Sequence, residues 1–209
     1  MFVRPTWKPR SDEEVFRLIN DYPWALLVNN GSDGPYATNL PLLLDRSRGN
    51  GVLIGHIALG NEHARALQKA REPTMAIFQG PHSYVTSSWY PDRDMPPTYY
   101  YTAVHCYGKA ALHSEAVLHQ WIETLTDRAE SGVLDGWKTG EIESEAIIRR
   151  LKSIVGFEIP IDRMEAKFKL GQDEPKKDAL AVADHLMKDP AQIALAKMIR
   201  SYNVTRRQE

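Results

Sequence analysis

The spacing of hydrophobic residues changes along the chain and predicts different elements in different parts. Residues 12–22 repeat an apolar position every three or four residues, which predicts a helix. Ser11 and Glu14 precede that stripe at the spacing of a capping box. Between residues 24 and 112, short apolar runs alternate with turn segments such as 29–34. This alternation is typical of a β-meander.

The predicted strands share a short apolar or alternating pattern. They lie at residues 24–28, 36–45, 52–57, 74–78, 83–88, 98–112 and 154–170. Residues 79–82 contain Gly80 and Pro81, so we interpret them as the loop between two strands. In the last strand the apolar positions change parity after 160–163, which indicates a bend or bulge.

Helical spacing returns at several places outside these strands. The predicted helices lie at residues 62–70, after Ser114, around 147–151, after Pro175, and at 193–199. Many short antiparallel strands with peripheral helices favour an α+β fold, mostly β, built as a barrel or sandwich. We expect one domain over residues 1–209, with 175–209 as a C-terminal helical extension.

The overall charge excludes a strong electrostatic preference for polyanions. Lys and Arg total 26 and Asp and Glu total 27, so the net charge of -1 does not favour broad nucleic-acid or membrane binding. No apolar run is long enough for a transmembrane helix. A single cysteine, Cys106, fits a reducing compartment, and we expect a soluble cytoplasmic protein.

Aromatic side chains are concentrated in one stretch of the chain. They are Tyr84, Trp89, Tyr90, Tyr99, Tyr100, Tyr101 and Tyr107. One interpretation is a tyrosine-rich core or dimer interface, and the other is a site that stacks a planar ring. The composition of this stretch leaves both open.

A few polar residues could bind an anion. His56 ends a predicted strand and Asn61 begins a helix, where free amides can hold an anion, although an ordinary Asn cap explains the same spacing. Lys167 and Lys169 share a strand face that suits a phosphate, or else form a solvated edge. The sequence shows no nucleophile elbow and no recognisable catalytic residue.

Seven sequence blocks follow one another along the chain, at residues 39–45, 55–61, 76–81, 84–91, 97–98, 154–159 and 167–172. The most distinctive reads Tyr-Val-Thr-Ser-Ser-Trp-Tyr-Pro and follows Gly-Pro-His-Ser. Together and in this order, the blocks resemble the PaiB-like family of FMN-binding negative transcriptional regulators. The resemblance spans roughly residues 1–186.

This resemblance implies a split β-barrel related to pyridoxamine-phosphate oxidase-like flavoproteins. It further implies a homodimer with FMN in a cleft at the interface, one subunit holding the phosphate and the partner covering the ring. Carried over by position, the cofactor-binding residues would be Thr38, Asn39, Leu40, Pro41, His56, Ile57, Ala58, Asn61, Tyr84, Ser87, Trp89, Thr98, Tyr100, Lys167, Lys169 and Gln172.

The chain departs from the family pattern beside this inferred site. Asn39 replaces a histidine before Leu-Pro, and Leu59 replaces an arginine that could bind phosphate. Tyr100 stands where the family has asparagine, and Asp173 adds a negative charge after the lysines.

Three functions follow as hypotheses from the resemblance. The first is an FMN-dependent transcriptional regulator or flavin-based sensor, although the sequence shows no basic helix-turn-helix for DNA. The alternative is a flavin-dependent oxidoreductase in which the flavin performs the chemistry. The third is a ligand-binding relic of the fold, or a haem-handling relative with His56 or His105 as ligand.

Overall fold

A computed structural model describes residues 1–31, 34–69 and 72–206 of the chain. The six α-helices are α1 (Asp12–Asp21), α2 (Glu62–Lys69), α3 (Glu115–Glu130), α4 (Ser144–Leu151), α5 (Lys176–Leu186) and α6 (Ile193–Val204). The strands are β1 (Trp24–Gly31), β2 (Gly34–Pro41), β3 (Leu43–Asp45), β4 (Val52–Ala58), β5 (Thr74–Val85), β6 (Thr98–Gly108), β7 (Ala111–Leu112), β8 (Ile154–Pro160) and β9 (Arg163–Lys169). Short 3-10 turns occur at Pro5–Trp7, Ser87–Trp89, Thr139–Glu141 and Pro190–Gln192.

The strands form two sheets, which confirms the predicted α+β class. One sheet has the order β2-β1-β5-β6-β9 and the other the order β3-β4-β8-β7. In the first sheet, β1 and β2 form an antiparallel hairpin from Trp24 opposite Pro41 to Gly31 opposite Gly34. In the second, β4 and β8 pair antiparallel from Val52 opposite Pro160 to Ala58 opposite Ile154.

Two compact units divide the chain. The first comprises Met1–Tyr22, Phe78–His105 and Glu165–Glu209, and the second comprises Pro23–Ile77 and Cys106–Met164. Helices α5 and α6, which the sequence suggested as an extension, belong to the first unit. Their residues Ala179, Val182 and Ile199 are fully buried, so both helices contribute to its core.

Several local predictions are confirmed by the structure. Ser11 caps α1 by accepting the amide of Glu14 at 3.4 Å, while the Glu14 carboxylate accepts the amide of Arg10 at 2.8 Å. The parity change near residue 160 is the boundary between β8 and β9, which belong to different sheets. A strand that leaves one sheet for another changes its buried face, and this explains the altered alternation.

Other boundaries are wrong and need correction. Residues 79–82 are not a loop, because β5 continues from Thr74 to Val85. Gly80 is required there for a close approach, since a Cβ on it would lie 2.9 Å from a methyl group of Leu18. The strand expected at 36–45 is broken between β2 and β3. The one expected at 98–112 is broken between β6 and β7.

Some sequence predictions fall on residues that the structure does not describe. They are the turn residues Ser32 and Asp33 and the expected helix end at Ala70. No helix in the described ranges has the length and hydropathy needed to cross a membrane. Cys106 is fully buried in β6, and burial raises the pKa of its thiol to about 12. A thiol with so high a pKa is a weak nucleophile at neutral pH.

Candidate functional site

The predicted cofactor-binding residues are divided between the two units. The second unit contains Thr38, Asn39, Leu40, Pro41, His56, Ile57, Ala58 and Asn61. The first unit contains Tyr84, Ser87, Trp89, Thr98, Tyr100, Lys167, Lys169 and Gln172. We describe each group within its own unit.

Lys167 lies on β9 in the first unit and is surrounded by aromatic rings. Its side chain is largely buried, with 8% of the residue exposed. The ammonium group lies 4.5 Å from the ring centre of Trp7, 5.1 Å from that of Tyr101 and 5.9 Å from that of Phe2. Such contacts stabilise a cation electrostatically but leave its N–H donors without oxygen acceptors. Lys167 is therefore not the solvated edge residue that its position on a strand allowed.

Lys169 follows two residues later on the same strand and is half-buried. Its ammonium group donates to the hydroxyl of Thr98, the first residue of β6. The ring centre of Trp7 is 5.7 Å away. The structure thus brings together three of the predicted residues, Lys167, Lys169 and Thr98, around the indole of Trp7.

The two lysines, which we call the lysine pair, have no carboxylate partner within 4 Å among the residues that the structure describes. Asp173 accepts from Arg4 at 3.2 Å and from the N–H of the same Trp7 indole at 3.0 Å. The charge of Lys169 also acts on the carboxyl of Glu174, where it opposes the rise of the pKa that burial causes. The negative charge that distinguishes this chain from the family pattern is thus paired with Arg4. Lys167 is a largely buried cation without a carboxylate in contact, which is costly, and an anionic ligand would offset that cost.

Tyr84, Tyr99 and Trp89 of the first unit lie at two separate positions. Tyr84 and Tyr99 are 49% and 57% exposed, and their rings meet edge to face at 5.6 Å. Trp89 is half-buried and stacks on His185 of α5 at 5.1 Å. Ser87 begins the 3-10 turn that positions Trp89.

Tyr100 and Gln172 use their polar groups inside the protein. Tyr100 is fully buried and its hydroxyl donates to the carboxylate of Glu174. The Gln172 amide closes the turn after β9, accepting from the amide of Leu170 at 2.7 Å and donating to the carbonyl of Phe168 at 2.6 Å. These contacts shape the end of β9, which carries Lys169.

Two carboxyl groups near this turn, of the half-buried Glu174 and the buried Asp178, have raised pKa values. Burial is the main reason why the pKa of Glu174 lies above its ordinary value, and the same is true of Asp178. Burial and the charge of Glu174 also raise the pKa values of Tyr100 and Tyr90. Asp178 is fully buried, and neither of its carboxylate oxygens has a hydrogen-bond partner in the described part of the chain.

Asp178→Asn is expected to stabilise the protein at neutral pH. The pKa of Asp178 is higher in the folded protein than its ordinary value of 3.8, so the protonated carboxyl stabilises the fold below pH 3.8. This contribution is lost as the pH rises through the pKa of the folded state, because the buried carboxyl then ionises. Removing the buried charge should therefore raise the free energy of unfolding by about 1 kcal/mol at pH 8 and by less at pH 5. Denaturant titration at both pH values measures this.

Asp127→Asn serves as the control, because Asp127 is exposed on α3 and should change the free energy of unfolding little at either pH. A stability loss at pH 8 in Asp178→Asn would contradict the burial of an unpartnered charge.

In the second unit, three polar residues form one hydrogen-bonded cluster. The Thr38 hydroxyl lies 2.8 Å from Nδ1 of His63, and the Asn61 side-chain amide donates to the same hydroxyl at 3.3 Å. The Asn61 carbonyl oxygen accepts the backbone amide of His63 at 2.9 Å. Tyr36 stacks on the imidazole at 5.8 Å. The structure therefore joins Thr38 and Asn61 through His63, which the sequence analysis had missed.

The sequence offered little signal for His63. A histidine in the first turn of a short helix is ordinary, and the contact with Thr38 spans 25 residues. Its ring is 1% exposed, burial lowers its pKa, and Nε2 has no hydrogen-bond partner among the described residues.

The remaining residues of this group have varied environments. Leu40 and Ile57 are buried in the core of their unit, whereas Asn39 and Ala58 are exposed and Pro41 is half-buried. Leu59, which replaces the family's arginine, is 48% exposed.

His56 lies in a different setting from Asn61, although the sequence suggested a shared turn. It lines a shallow apolar groove against α3, together with Leu43, Ile54, Gly55, Leu118, Trp121, Ile122 and Leu125. Burial lowers the pKa of its imidazole. His105 is half-buried on β6, and burial likewise lowers its pKa. Within the described residues no group of three metal-binding side chains comes together.

The comparison with known proteins identifies the family. The family model described as "Putative FMN-binding domain" matches residues 1–163. The chain belongs to this FMN-binding family. The protease synthase and sporulation protein PAI 2 of Bacillus subtilis (strain 168) is 30% identical over 189 residues, which cover 90% of each chain. This relative confirms the PaiB-like resemblance of the sequence blocks.

Other members and neighbours agree with the fold. Uncharacterized protein AN0679 of Emericella nidulans is 28% identical over 218 residues, covering 85% of this chain and 87% of that protein. A FAD and heme binding protein from Mycobacterium smegmatis superposes with a TM-score of 0.59 at 19% identity, covering 78% of this chain and 73% of its own. The flavocytochrome Anf3 from Azotobacter vinelandii gives a TM-score of 0.59 at 14% identity, covering 78% of this chain and 69% of its own. These structures confirm the split-barrel fold alone.

The residues present fit the flavin that membership of the FMN-binding family implies. A flavin mononucleotide needs cations and hydroxyl donors for its phosphate, and hydrogen-bond partners for its polar ring edge. The lysine pair and Thr98 meet the first need, since the two ammonium groups have N–H donors to spare and no carboxylate lies within 4 Å of them in the described residues.

Proposed function

We propose that this protein binds FMN and acts as a flavin-based regulator or sensor of gene expression. The observation behind the proposal is the lysine pair on β9, a largely buried Lys167 and a half-buried Lys169, with no carboxylate within 4 Å in the described residues. A phosphate dianion beside them would accept charge-assisted hydrogen bonds, which are about twice as strong as neutral ones. The Thr98 hydroxyl, already bonded to Lys169, would add a further donor.

When bound, the flavin would supply one- or two-electron redox chemistry, and the protein would hold and orient it. Lys167, Lys169 and Thr98 would bind the phosphate end. The indole of Trp7 contacts both ammonium groups and so helps to fix their positions.

The regulatory part of the proposal draws support from the relatives. The name of the B. subtilis relative links that protein to protease synthesis and sporulation, two outcomes of gene regulation. We further propose that the protein is a cytoplasmic homodimer. Its single cysteine suits a reducing compartment, and the exposed Tyr84–Tyr99 pair offers an aromatic surface of the kind enriched at interfaces.

A ligand titration tests the binding of FMN. Protein freed of any chromophore is titrated with FMN and, as the matched ligand without phosphate, with riboflavin, and flavin fluorescence is recorded. We expect FMN to bind about 100-fold more tightly than riboflavin, because only FMN brings the phosphate to the lysine pair. Equal affinities, or no uptake of either ligand, would overturn the proposal.

Two further measurements decide the role. Sequence-selective, salt-dependent DNA binding that changes with the redox state of the flavin would support the regulator. Sustained NAD(P)H oxidation with turnover of an acceptor would favour the oxidoreductase instead. Light scattering tests the homodimer, whose mass would be twice the 23.7 kDa of one chain.

A further inference from the structure

The segment that contains α3 and α4 in the second unit contributes little to the core. Within residues 115–151, all of which the structure describes, Leu118 is the one buried residue. Helix α4 contains no buried residue, and a helix of eight residues is too short to be stable in water by itself. The apolar side chains of this segment therefore lack much of the cover that stabilises short helices in proteins.

The turn at residues 130–137, which follows α3, presents three apolar side chains to solvent. Leu134 is 98% exposed, Val133 is 55% exposed and Trp137 is 38% exposed. Single exposed apolar residues are ordinary on protein surfaces, whereas several large ones close together mark a surface that contacts another molecule. The three side chains of this turn lie within five residues of chain.

Hydrogen bonds close this turn on itself. The N–H of Val133 donates to the carbonyl of Glu130 at 2.9 Å, and the N–H of Gly136 donates to the carbonyl of Val133 at 3.1 Å. The Glu130 carboxylate accepts the N–H of Trp137 at 3.1 Å. Asp135 has a φ of +58°, a left-handed conformation that disfavours residues with a side chain. The turn is thus held in a defined conformation with its apolar side chains outward.

The chain around this turn is strongly acidic. Residues 115–145 contain eight carboxylates and two basic residues, which gives a net charge of -6, whereas the whole chain carries -1 and its remainder therefore +5. Opposite charges attract a partner to such a surface, and polyanions such as nucleic acids are repelled by it. Six of the eight carboxylates are exposed, namely Glu115, Asp127, Asp135, Glu141, Glu143 and Glu145.

We propose that the turn at 130–137 and the carboxylates of residues 115–145, together called the acidic surface, dock a basic amphipathic helix of another protein. The apolar face of that helix would cover Val133, Leu134 and Trp137, and its lysines and arginines would pair with the surrounding carboxylates. Leu134 is the central apolar contact, because it has the most surface to bury. The proposal does not depend on the binding of FMN.

A model peptide tests this chemistry on the full-length protein. The probe is a fluorescein-labelled peptide of leucine and lysine, about 18 residues long, whose leucines repeat every three or four residues as on one face of a helix. One control peptide has glutamate in place of lysine, and the other has the same leucine and lysine content in scrambled order. We expect fluorescence anisotropy to show that the probe binds at least about tenfold more tightly than either control. Equal affinities, or no binding of the probe, would overturn the proposal.

Leu134→Ser tests the apolar contact. Because Leu134 is 98% exposed, the variant should keep the free energy of unfolding of the wild type. It should bind the probe about tenfold more weakly, since the leucine surface is no longer buried in the complex. An unchanged affinity in this folded variant would overturn the proposal.

Val133→Ser and Val204→Ser form a matched pair, because both valines are 55% exposed. Val133 belongs to the acidic surface, whereas Val204 ends α6 in the first unit. We expect Val133→Ser to weaken binding of the probe about threefold and Val204→Ser to leave it unchanged. Equal losses in the two variants would contradict a contact at the acidic surface.

A triple variant tests the charges. Asp135→Asn, Glu143→Gln and Glu145→Gln together should weaken binding of the probe about tenfold at low salt and by less at high salt, because salt screens exposed charges. An equal loss in the control would mean that the probe responds to net charge alone, and would overturn the proposal. The control neutralises three other exposed carboxylates of the second unit, by Glu62→Gln, Glu72→Gln and Asp162→Asn.

Two other occupants of the acidic surface would each overturn the proposal. If a second copy of this chain covered it, Leu134→Ser would lower the mass measured by light scattering. If a lipid membrane covered it, the wild type would sediment with phosphatidylcholine vesicles and Leu134→Ser would not. We expect the same mass for both proteins, and no sedimentation of either with the vesicles.

Discussion

Lys169→Met is expected to weaken FMN binding by about 30-fold, because it removes a charge-assisted hydrogen bond to the phosphate that contributes about 2 kcal/mol. Methionine keeps the length and apolar character of the stem, so the contact with Trp7 at 5.7 Å should persist. Riboflavin has no phosphate, and its affinity should not change. The measured quantity is the dissociation constant of riboflavin divided by that of FMN. This ratio should fall about 30-fold in the variant.

Lys188→Met is the matched control, since Lys188 is an exposed lysine of the same unit and its loss alters the net charge equally. It should bind FMN like the wild type. If Lys169→Met also bound FMN like the wild type, the lysine pair would not be the phosphate site. A parallel loss of FMN and riboflavin affinity would mean that the variant had disturbed the unit rather than the phosphate contact.

Gly171→Ala is expected to destabilise the protein by about 3 kcal/mol. Gly171 has a φ of +79°, which an alanine adopts at a cost of about 1 kcal/mol. A Cβ there would also lie 2.5 Å from the Tyr100 hydroxyl and 2.9 Å from the Cβ of Ala179, and such overlap in a packed region typically costs about 2 kcal/mol more. The free energy of unfolding from denaturant titration measures the sum.

Gly49→Ala separates the two causes. Gly49 has a φ of +51°, and a Cβ on it meets no atom within 4 Å. We expect a loss of about 1 kcal/mol from backbone strain alone. Equal losses at both glycines would show that the turn after β9 relaxes around the new methyl group, and that Tyr100 is not fixed against it.

The turn at Gly171 matters for the site because it ends the strand that holds the lysine pair. Arg206 donates to the carbonyl of Gly171 at 3.2 Å, and Asn203 donates to that of Leu170 at 2.9 Å. These contacts from α6 and from Arg206 just after it hold the end of β9 next to Lys169. A variant that disturbs the turn is therefore expected to lose stability and FMN affinity together, whereas Lys169→Met loses affinity alone.

Much of the fold could be predicted because local spacing determines it. The capping box at Ser11, the helical stripes and the parity change near residue 160 all correspond to elements of the structure. The error at residues 79–82 has a clear cause. Gly80 and Pro81 are strong turn signals, but here the missing Cβ admits Leu18 of α1, a contact 62 residues distant that no local pattern contains.

The candidate site was predictable only as a set of positions. The ordered sequence blocks were sufficient to indicate the family and the sixteen residues carried over from it, because residue types and their spacing are read directly from the sequence. They did not show that Tyr100 and Gln172 bond within the protein, or that His56 faces a groove under α3. Those facts depend on which way each side chain points after packing.

The sequence by itself determined the family, the order of strands and helices, and the presence of two lysines on one face of the last strand. Only the tertiary structure decided that these lysines lie against Trp7, that Asp173 pairs with Arg4, and that His63 binds Thr38. The physical reason is that hydrogen bonds and charge pairs form between residues that are neighbours in space. Here those neighbours are separated by 25 to 169 residues of chain.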